Sequence, residues 1–195
     1  MKIMSAIAFL LIVVCSSANA ITISLSSSQS LINVGDSVTV DIFAELDDQE
    51  SNLALFDFFV EFDSGIFNLS PLDYSNFGSA LGGPFDSIQD IGALGSNNIF
   101  ESTFLDITTL SSLQFGQSFR LFSFELTSLA PTVSSKIFLS ESLFGGFLDF
   151  DGNLLLSQIT GTTIVVRDAT SVNTPATLSL MFLWVLVLCL RQNRY

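Results

Sequence analysis

Leu53-Ala54-Leu55-Phe56-Asp57-Phe58-Phe59-Val60-Glu61-Phe62-Asp63 is the stretch that decides the fold. Successive side chains of an extended strand point to opposite sides, so Phe56, Phe58, Val60 and Phe62 share one face. Leu55, Asp57, Phe59 and Glu61 oppose them. The same period of two runs outward in both directions. Upstream, Ile21–Leu25 alternates apolar with hydroxyl residues. After the turn Asn33-Val34-Gly35-Asp36, residues Val38, Val40, Ile42, Ala44 and Leu46 line one face, with Thr39, Asp41 and Glu45 on the other. Downstream, Ile99–Ile107, Phe119–Thr127, Ser135–Ser140 and Thr162–Arg167 read as strands. In Phe119–Thr127, Phe122, Phe124 and Leu126 point inward, with Arg120 on the same side. Leu148–Phe150 and Leu154–Leu156 flank Asp151-Gly152-Asn153, an Asp-Gly turn of the kind that closes a hairpin. No stretch of 21–175 keeps a helical period, and Ser70–Asn98 has no strand pattern at all. The expectation is an all-β chain, a single β-sandwich of about nine strands. The twenty Phe residues then fill a core between two sheets.

Three of these segments carry a family resemblance. Leu31–Asp41 looks like the opening of a cohesin-type domain. Leu55–Phe67 is similar to the alternating strand that ends in Phe/Tyr-Asp in that family, here Phe62-Asp63. Leu121–Ala130 followed by Ser134–Glu141 resembles its late strands. The resemblance covers most of 21–167 and implies a nine-stranded, jelly-roll-type sandwich related to carbohydrate-binding modules. Fold likeness alone does not assign a dockerin as partner.

The two ends read as addresses. Met1–Ala20 has a basic Lys2, an apolar run Ile3–Val14 and the small residues Ser16-Ser17-Ala18-Asn19-Ala20, the layout of a secretory signal. Signal peptidase is expected to read Ala18 and Ala20 and to cut before Ile21. At the other end, Asn173-Thr174-Pro175 precedes fifteen uncharged residues, 176–190, and Arg191 and Arg194 follow. As a helix that run spans about 22 Å, a short transmembrane helix whose arginines mark the cytoplasmic side. Pro, short apolar helix and basic tail in this order resemble the PEP-CTERM sorting signal of Gram-negative bacteria. That resemblance implies an exosortase-type processing enzyme as partner. Asn173 and Thr174 replace the first Pro and the Glu of the usual Pro-Glu-Pro. A plain C-terminal anchor needs the same apolar run. The predicted organisation is a signal peptide at 1–20, a cohesin-like sandwich at 21–170 and a sorting segment at 171–195.

Composition excludes several functions. All nineteen carboxylates lie in 21–175 against Arg120, Lys136 and Arg167, a formal charge of −16 for that region. Such a surface does not neutralise phosphates, so nucleic acid is no partner. Histidine is absent, which removes the commonest general base and zinc ligand together. Cys15 and Cys189 fall in the two end segments, so the exterior portion has no disulfide. A serine nucleophile lacks its histidine partner, and the chain is read as no enzyme.

Two sets of residues stand out as candidate sites. In the long segment Ser70–Asn98, Tyr74, Phe77 and Phe85 beside Asp86 offer aromatic faces and a carboxylate, the groups on which sugar rings stack and hydrogen-bond. The competing explanation is that these rings anchor into the sandwich edge. Asp47 and Asp48 in the turn Asp47-Asp48-Gln49-Glu50, and Asp149 and Asp151 near the hairpin turn, present oxygen ligands for a weakly held calcium ion. No other cofactor is expected, and turn chemistry alone demands the same residues. The resulting expectation is an exported, non-catalytic surface or matrix protein of a Gram-negative bacterium. It passes through an intermediate anchored in the inner membrane and binds exopolysaccharide or another surface protein. The alternative is a dockerin-type protein-interaction module on a plain membrane anchor.

Overall fold

A computed structural model describes residues 20–46, 52–92, 94, 97–114, 118–142 and 146–168. Ala18, Asp47, Asp48, Asn173, Thr174, Pro175, Arg191 and Arg194 lie outside the described residues, as does the apolar run 176–190. Among the described residues no helix is long and apolar enough to cross a membrane.

The strands are β1 (Ala20–Ser27), β2 (Leu31–Asn33), β3 (Ser37–Leu46), β4 (Leu53–Glu61), β5 (Phe67–Leu69), β6 (Ser87–Ile91), β7 (Asn98–Thr103), β8 (Phe119–Ser128), β9 (Thr132–Glu141), β10 (Phe147–Asp149), β11 (Leu156–Thr160) and β12 (Thr162–Arg167). One helix, α1 (Ile107–Gln114), and a 3₁₀ turn at Tyr74–Asn76 complete the elements. The smaller sheet runs β11-β1-β3-β8-β5, and the larger runs β2-β12-β9-β4-β7-β6 with β10 beside β4. Gly161 carries the chain from one sheet to the other. A Cβ there would lie 2.6 Å from the Ile137 carbonyl oxygen, so the crossing needs glycine.

Alternation explains how the layers close. Ile21, Ile23, Val38, Val40, Ile42 and Ala44 of the smaller sheet meet Phe56, Phe58, Val60, Ile137 and Ile164 of the larger one, all essentially inaccessible. Phe56 stacks on Phe58 at 5.3 Å between ring centroids, and Phe58 on Phe147 at 6.1 Å. Burying each such ring contributes about 1.5–3 kcal/mol, which suits a core that contains no cross-link.

Four expectations need correction. Ser70–Asn98 is not patternless, because it contains the 3₁₀ turn and the five-residue strand β6. The strand expected over Ile99–Ile107 stops at Thr103, and Ile107 instead opens α1, a helix where none was expected. Twelve strands stand among the described residues rather than about nine. Arg120 does not share a face with Phe122. The β3–β8 register shifts so that Ile42 faces Phe122 while Phe43 faces Arg120. This bulge at Leu121 reverses the parity and turns Arg120 out to solvent, where it lies 3.9 Å from Asp41.

Candidate functional site: the outer face of the larger sheet and its β6 flank

Residues opposite one another in an antiparallel ladder share a face. The register therefore assigns Phe59 and Asp57 of β4, Asn98 and Phe100 of β7, Ile88 and Asp90 of β6 and Phe138 and Ser140 of β9 to the side away from the core. Phe138 is 45% exposed and Ile88 52% exposed, while Phe59 and Phe100 are half-buried between them. At the centre Asn98 donates from Nδ2 to Asp57 Oδ1 at 2.8 Å and to the Phe58 carbonyl at 3.2 Å. Both side chains are buried, and the amide–carboxylate bond ties β7 to β4. Ser140 donates to Glu61 at 2.8 Å, and Lys136 sits two residues beyond Phe138 on the same strand face. The opposite outer surface differs in kind. There β1, β3 and β8 present Thr22, Ser24, Thr39, Glu45, Ser123 and Glu125, with the half-buried Phe43 beside Arg120 and the exposed Leu156 at the β11 edge.

Behind β7 lies a buried carboxylate. Glu101 stands opposite Phe56 and Gln89 and points into the sandwich, essentially inaccessible. Ser87 Oγ donates to it at 2.7 Å and Gln89 Nε2 at 2.8 Å. Burial raises its pKa above the ordinary 4.5, and the two hydrogen bonds, from Gln89 and then Ser87, only partly offset that. Asp106 precedes α1 and caps it, its carboxylate accepting from the Thr108 and Thr109 amides and from Thr109 Oγ1. The Thr109 side-chain bond chiefly, with the amide bonds, holds the Asp106 pKa below the ordinary range. At its other end Gln114, 2% exposed, acts as a substitute strand residue. Its Oε1 accepts from Leu53 N at 2.8 Å, and its Nε2 donates to Leu53 O at 2.8 Å and to Ala80 O at 3.1 Å. The side chain thereby continues the pairing of β4 past Leu55, whose partner Ser102 is the last that β7 supplies.

The residues read from sequence as a ligand loop separate in space. Phe77 is a core residue, 4.8 Å from Phe122 edge-to-face and 6.3 Å from Phe56. Its neighbour Gly78 donates to the Leu121 carbonyl at 2.7 Å, and a Cβ on Gly78 would fall 1.7 Å from Arg120 O. Only glycine permits this contact. Tyr74, 55% exposed, follows Asp73, which accepts from the Ser75 amide at 2.7 Å. Those Ser75 hydrogen bonds, the side-chain one first, hold the Asp73 pKa below its ordinary value. Phe85 is 98% exposed at the tip of a tight loop. Asp86 builds that loop, because its Oδ2 accepts from Gly83 N and its amide donates to Gly83 O. Gly82 at φ +104° completes the turn, in a conformation that disfavours any side chain. Of the four, Tyr74 and Phe85 present open rings, Phe77 supports the core, and Asp86 shapes the backbone.

The calcium candidates that are described form a turn. Asp149 accepts from Asn153 N at 2.7 Å and from Asn153 Nδ2 at 2.9 Å, engaging both carboxylate oxygens, and Gly152 takes φ +79°. Among the described residues no group of three or more acidic or sulfur or imidazole side chains converges to hold a metal. At the signal junction, Ala20 and Ile21 begin β1, with Ile21 fully buried, so a chain starting at Ile21 keeps its core strand. The outer-face residues Phe100, Phe138 and Ile88 were missed as a set. Only the pairing of strands distant in sequence brings them together.

No protein-family model matches the sequence, and no curated protein does. Solved structures do. A Clostridium thermocellum cohesin, from the Coh-OlpC–Doc435 type I cohesin–dockerin complex, superposes with a TM-score of 0.58 at 14% identity, over 79% of this chain and 97% of that one. The type II cohesin A11 of Bacteroides cellulosolvens gives 0.58 at 13% identity, over 75% and 99%. A cohesin module of a Clostridium perfringens family 33 glycoside hydrolase gives 0.55 at 11% identity, over 79% and 100%. At such identities the likeness is one of fold, and it spans nearly the whole of each cohesin module. The chain has the fold of a cohesin: among the described residues, an all-β sandwich of two sheets with one small helix.

Proposed function

We propose that this chain is an exported, non-catalytic recognition module that docks a protein partner on the outer face of its larger sheet. The observation that carries this reading is the contrast between the two outer surfaces. One is mainly hydroxyls and carboxylates, its apolar side chains Phe43 and Leu156 lying on separate strands, β3 and β11, with β1 between them. The other leaves Phe138 and Ile88 in solvent beside Phe59 and Phe100. An exposed apolar patch rimmed by polar groups marks an interaction site on a soluble domain. The cohesin neighbours seen in complex with dockerins support a protein rather than a sugar as the partner. The carboxylates Glu61 and Asp90 at this face, in a region of charge −16, favour a partner whose rim is basic.

Export and sorting belong to the same proposal, on the strength of sequence layout. Met1–Ala20 would direct secretion, and the segment from Asn173 to Arg194 would hold the chain in the inner membrane for an exosortase-type enzyme before release to the surface or matrix. Mass spectrometry of secreted material tests this by reading an N-terminus at Ile21 and the loss of the basic tail.

The docking claim is tested with the double variant Phe138→Asp/Ile88→Asp, both exposed positions. Envelope proteins and exopolysaccharide of the source are captured on wild type and variant, and a captured protein is then purified and titrated. A saturable protein complex that disappears in a variant of unchanged melting temperature supports the reading. Unchanged binding by the variant overturns it, and so does retention of polysaccharide alone.

A further inference from the structure

Sheet edges are normally blunted by shortness, charge, proline or a bulge, because an open edge invites another strand. Two edge strands here, β2 and β5, have three residues each. β11 runs close to β9 on the far sheet, and its Ser157 hydroxyl bonds Glu141. β6 is different. Its five residues Ser87-Ile88-Gln89-Asp90-Ile91 carry no proline, no lysine and no register shift against β7.

Which of its backbone groups are free follows from the ladder. Phe104 N donates to Asp86 O at 2.7 Å and Gly92 N to Asn98 O at 2.9 Å. Both pairs lie in register with β6–β7, so Asp86, Ile88, Asp90 and Gly92 are the residues that bond to β7. Ser87, Gln89 and Ile91 therefore turn their amides and carbonyls away from the sheet. None of these groups meets a hydrogen-bond partner among the described residues. The 3₁₀ turn at Tyr74–Asn76 runs alongside without bonding to them.

We infer that the β6 edge accepts an extended, basic–apolar segment of a partner protein as an added strand. Three free amide–carbonyl sites at alternate residues match the repeat of a strand. Ile88 is half exposed, and the fully exposed Phe85 stands in the loop two residues before β6, giving two apolar anchors along the edge. Asp86 lies between them and Asp90 follows Ile88, so lysines or arginines between the apolar residues complement the edge. The same carboxylates oppose pairing of this edge with a second copy. The inference shares Ile88 with the outer face but rests on the backbone groups of β6 rather than on Phe138.

The test uses the full exterior chain and three capped nonapeptides. One alternates lysine and valine, the second is the same peptide N-methylated at alternate amides, and the third alternates glutamate and valine. Amide hydrogen exchange is followed during titration. The lysine–valine peptide is expected to slow exchange at Ser87, Gln89 and Ile91 while leaving β11 unchanged. Both other peptides, and the variant Ile88→Lys with the lysine–valine peptide, are expected to bind at least about ten-fold more weakly. Equal binding of the N-methylated peptide overturns the inference, as does protection spread over the sheet faces or over β11. Protection of β6 by self-association without peptide overturns it as well. The single variant Phe138→Asp leaves β6 untouched and is expected to keep the peptide's affinity while losing a partner docked on the face, so failure of the face and failure of the edge are told apart.

Discussion

Replacing Gln114 by Ala should be among the most damaging single changes in this protein. The side chain is 2% exposed and serves Leu53 N, Leu53 O and Ala80 O, with Leu53 itself fully buried. Truncation strands these three polar groups away from water. Each stranded group costs roughly 1–3 kcal/mol, so the sum is about 2–6 kcal/mol if water reaches one of them. In a domain of this size that lowers the melting temperature by on the order of 10 °C. The assay is urea unfolding followed by circular dichroism, with thermal melts alongside. Two further variants dissect the result. Gln114→Met keeps volume but none of the hydrogen bonds, and should lose nearly as much as Gln114→Ala. Gln114→Glu keeps the bond from Leu53 N but turns an anion toward two carbonyls, and should be no better at neutral pH. A loss below about 1 kcal/mol for Gln114→Ala would refute the role of Gln114 as a substitute strand residue.

Other perturbations follow from the same geometry. Phe77→Ala should cost about 3–5 kcal/mol, as expected of a ring packed on Phe122 and Phe56, whereas Phe85→Ala should change stability by less than about 0.5 kcal/mol; urea midpoints of the two variants separate core from surface. Gly78→Ala should fail to fold or be severely destabilised, since its Cβ would overlap the Arg120 carbonyl, and the soluble yield with a thermal melt reports this. Glu101 binds its proton more tightly folded than unfolded. The stability it contributes is complete below about pH 4.5 and declines as pH rises through its raised native value. Glu101→Gln stays neutral while keeping an acceptor for Ser87 and Gln89. It should match the wild type in acid and exceed it at neutral pH, as read from urea midpoints across the pH range.

Much of the fold was legible because one signal, the period of two, is local. β1, β3, β4, β8 and β12 lie where alternation places them, and the turns at Gly35 and Gly152 have the positive φ their sequences imply. What alternation misses is anything that breaks or replaces it. The bulge at Leu121 reverses Arg120 without leaving a mark in the residue pattern. α1 reads Ile107-Thr108-Thr109-Leu110-Ser111-Ser112-Leu113-Gln114, too short and too rich in hydroxyls for a helical period, and only Leu110 and Gln114 are buried. Asp106 before two threonines was the available sign of its cap. The ligand loop was legible only in part. Composition picks out aromatics, but burial of Phe77 depends on a bridge to Phe122, distant in sequence. The outer face was hidden for the same reason. Phe59 was visible on the second face of β4, whereas Phe100, Ile88 and Phe138 join it only through strand pairing.

The central claim is that a protein partner occupies the outer face of the larger sheet. The most direct measurement is hydrogen exchange of the chain free and bound to that partner, read strand by strand. The prediction is protection concentrated at β9, β4 and β7, around Phe138, Phe59 and Phe100, with the polar face of β1, β3 and β8 unchanged. Protection confined to that polar face, or a complex formed with no change on either sheet, would contradict it.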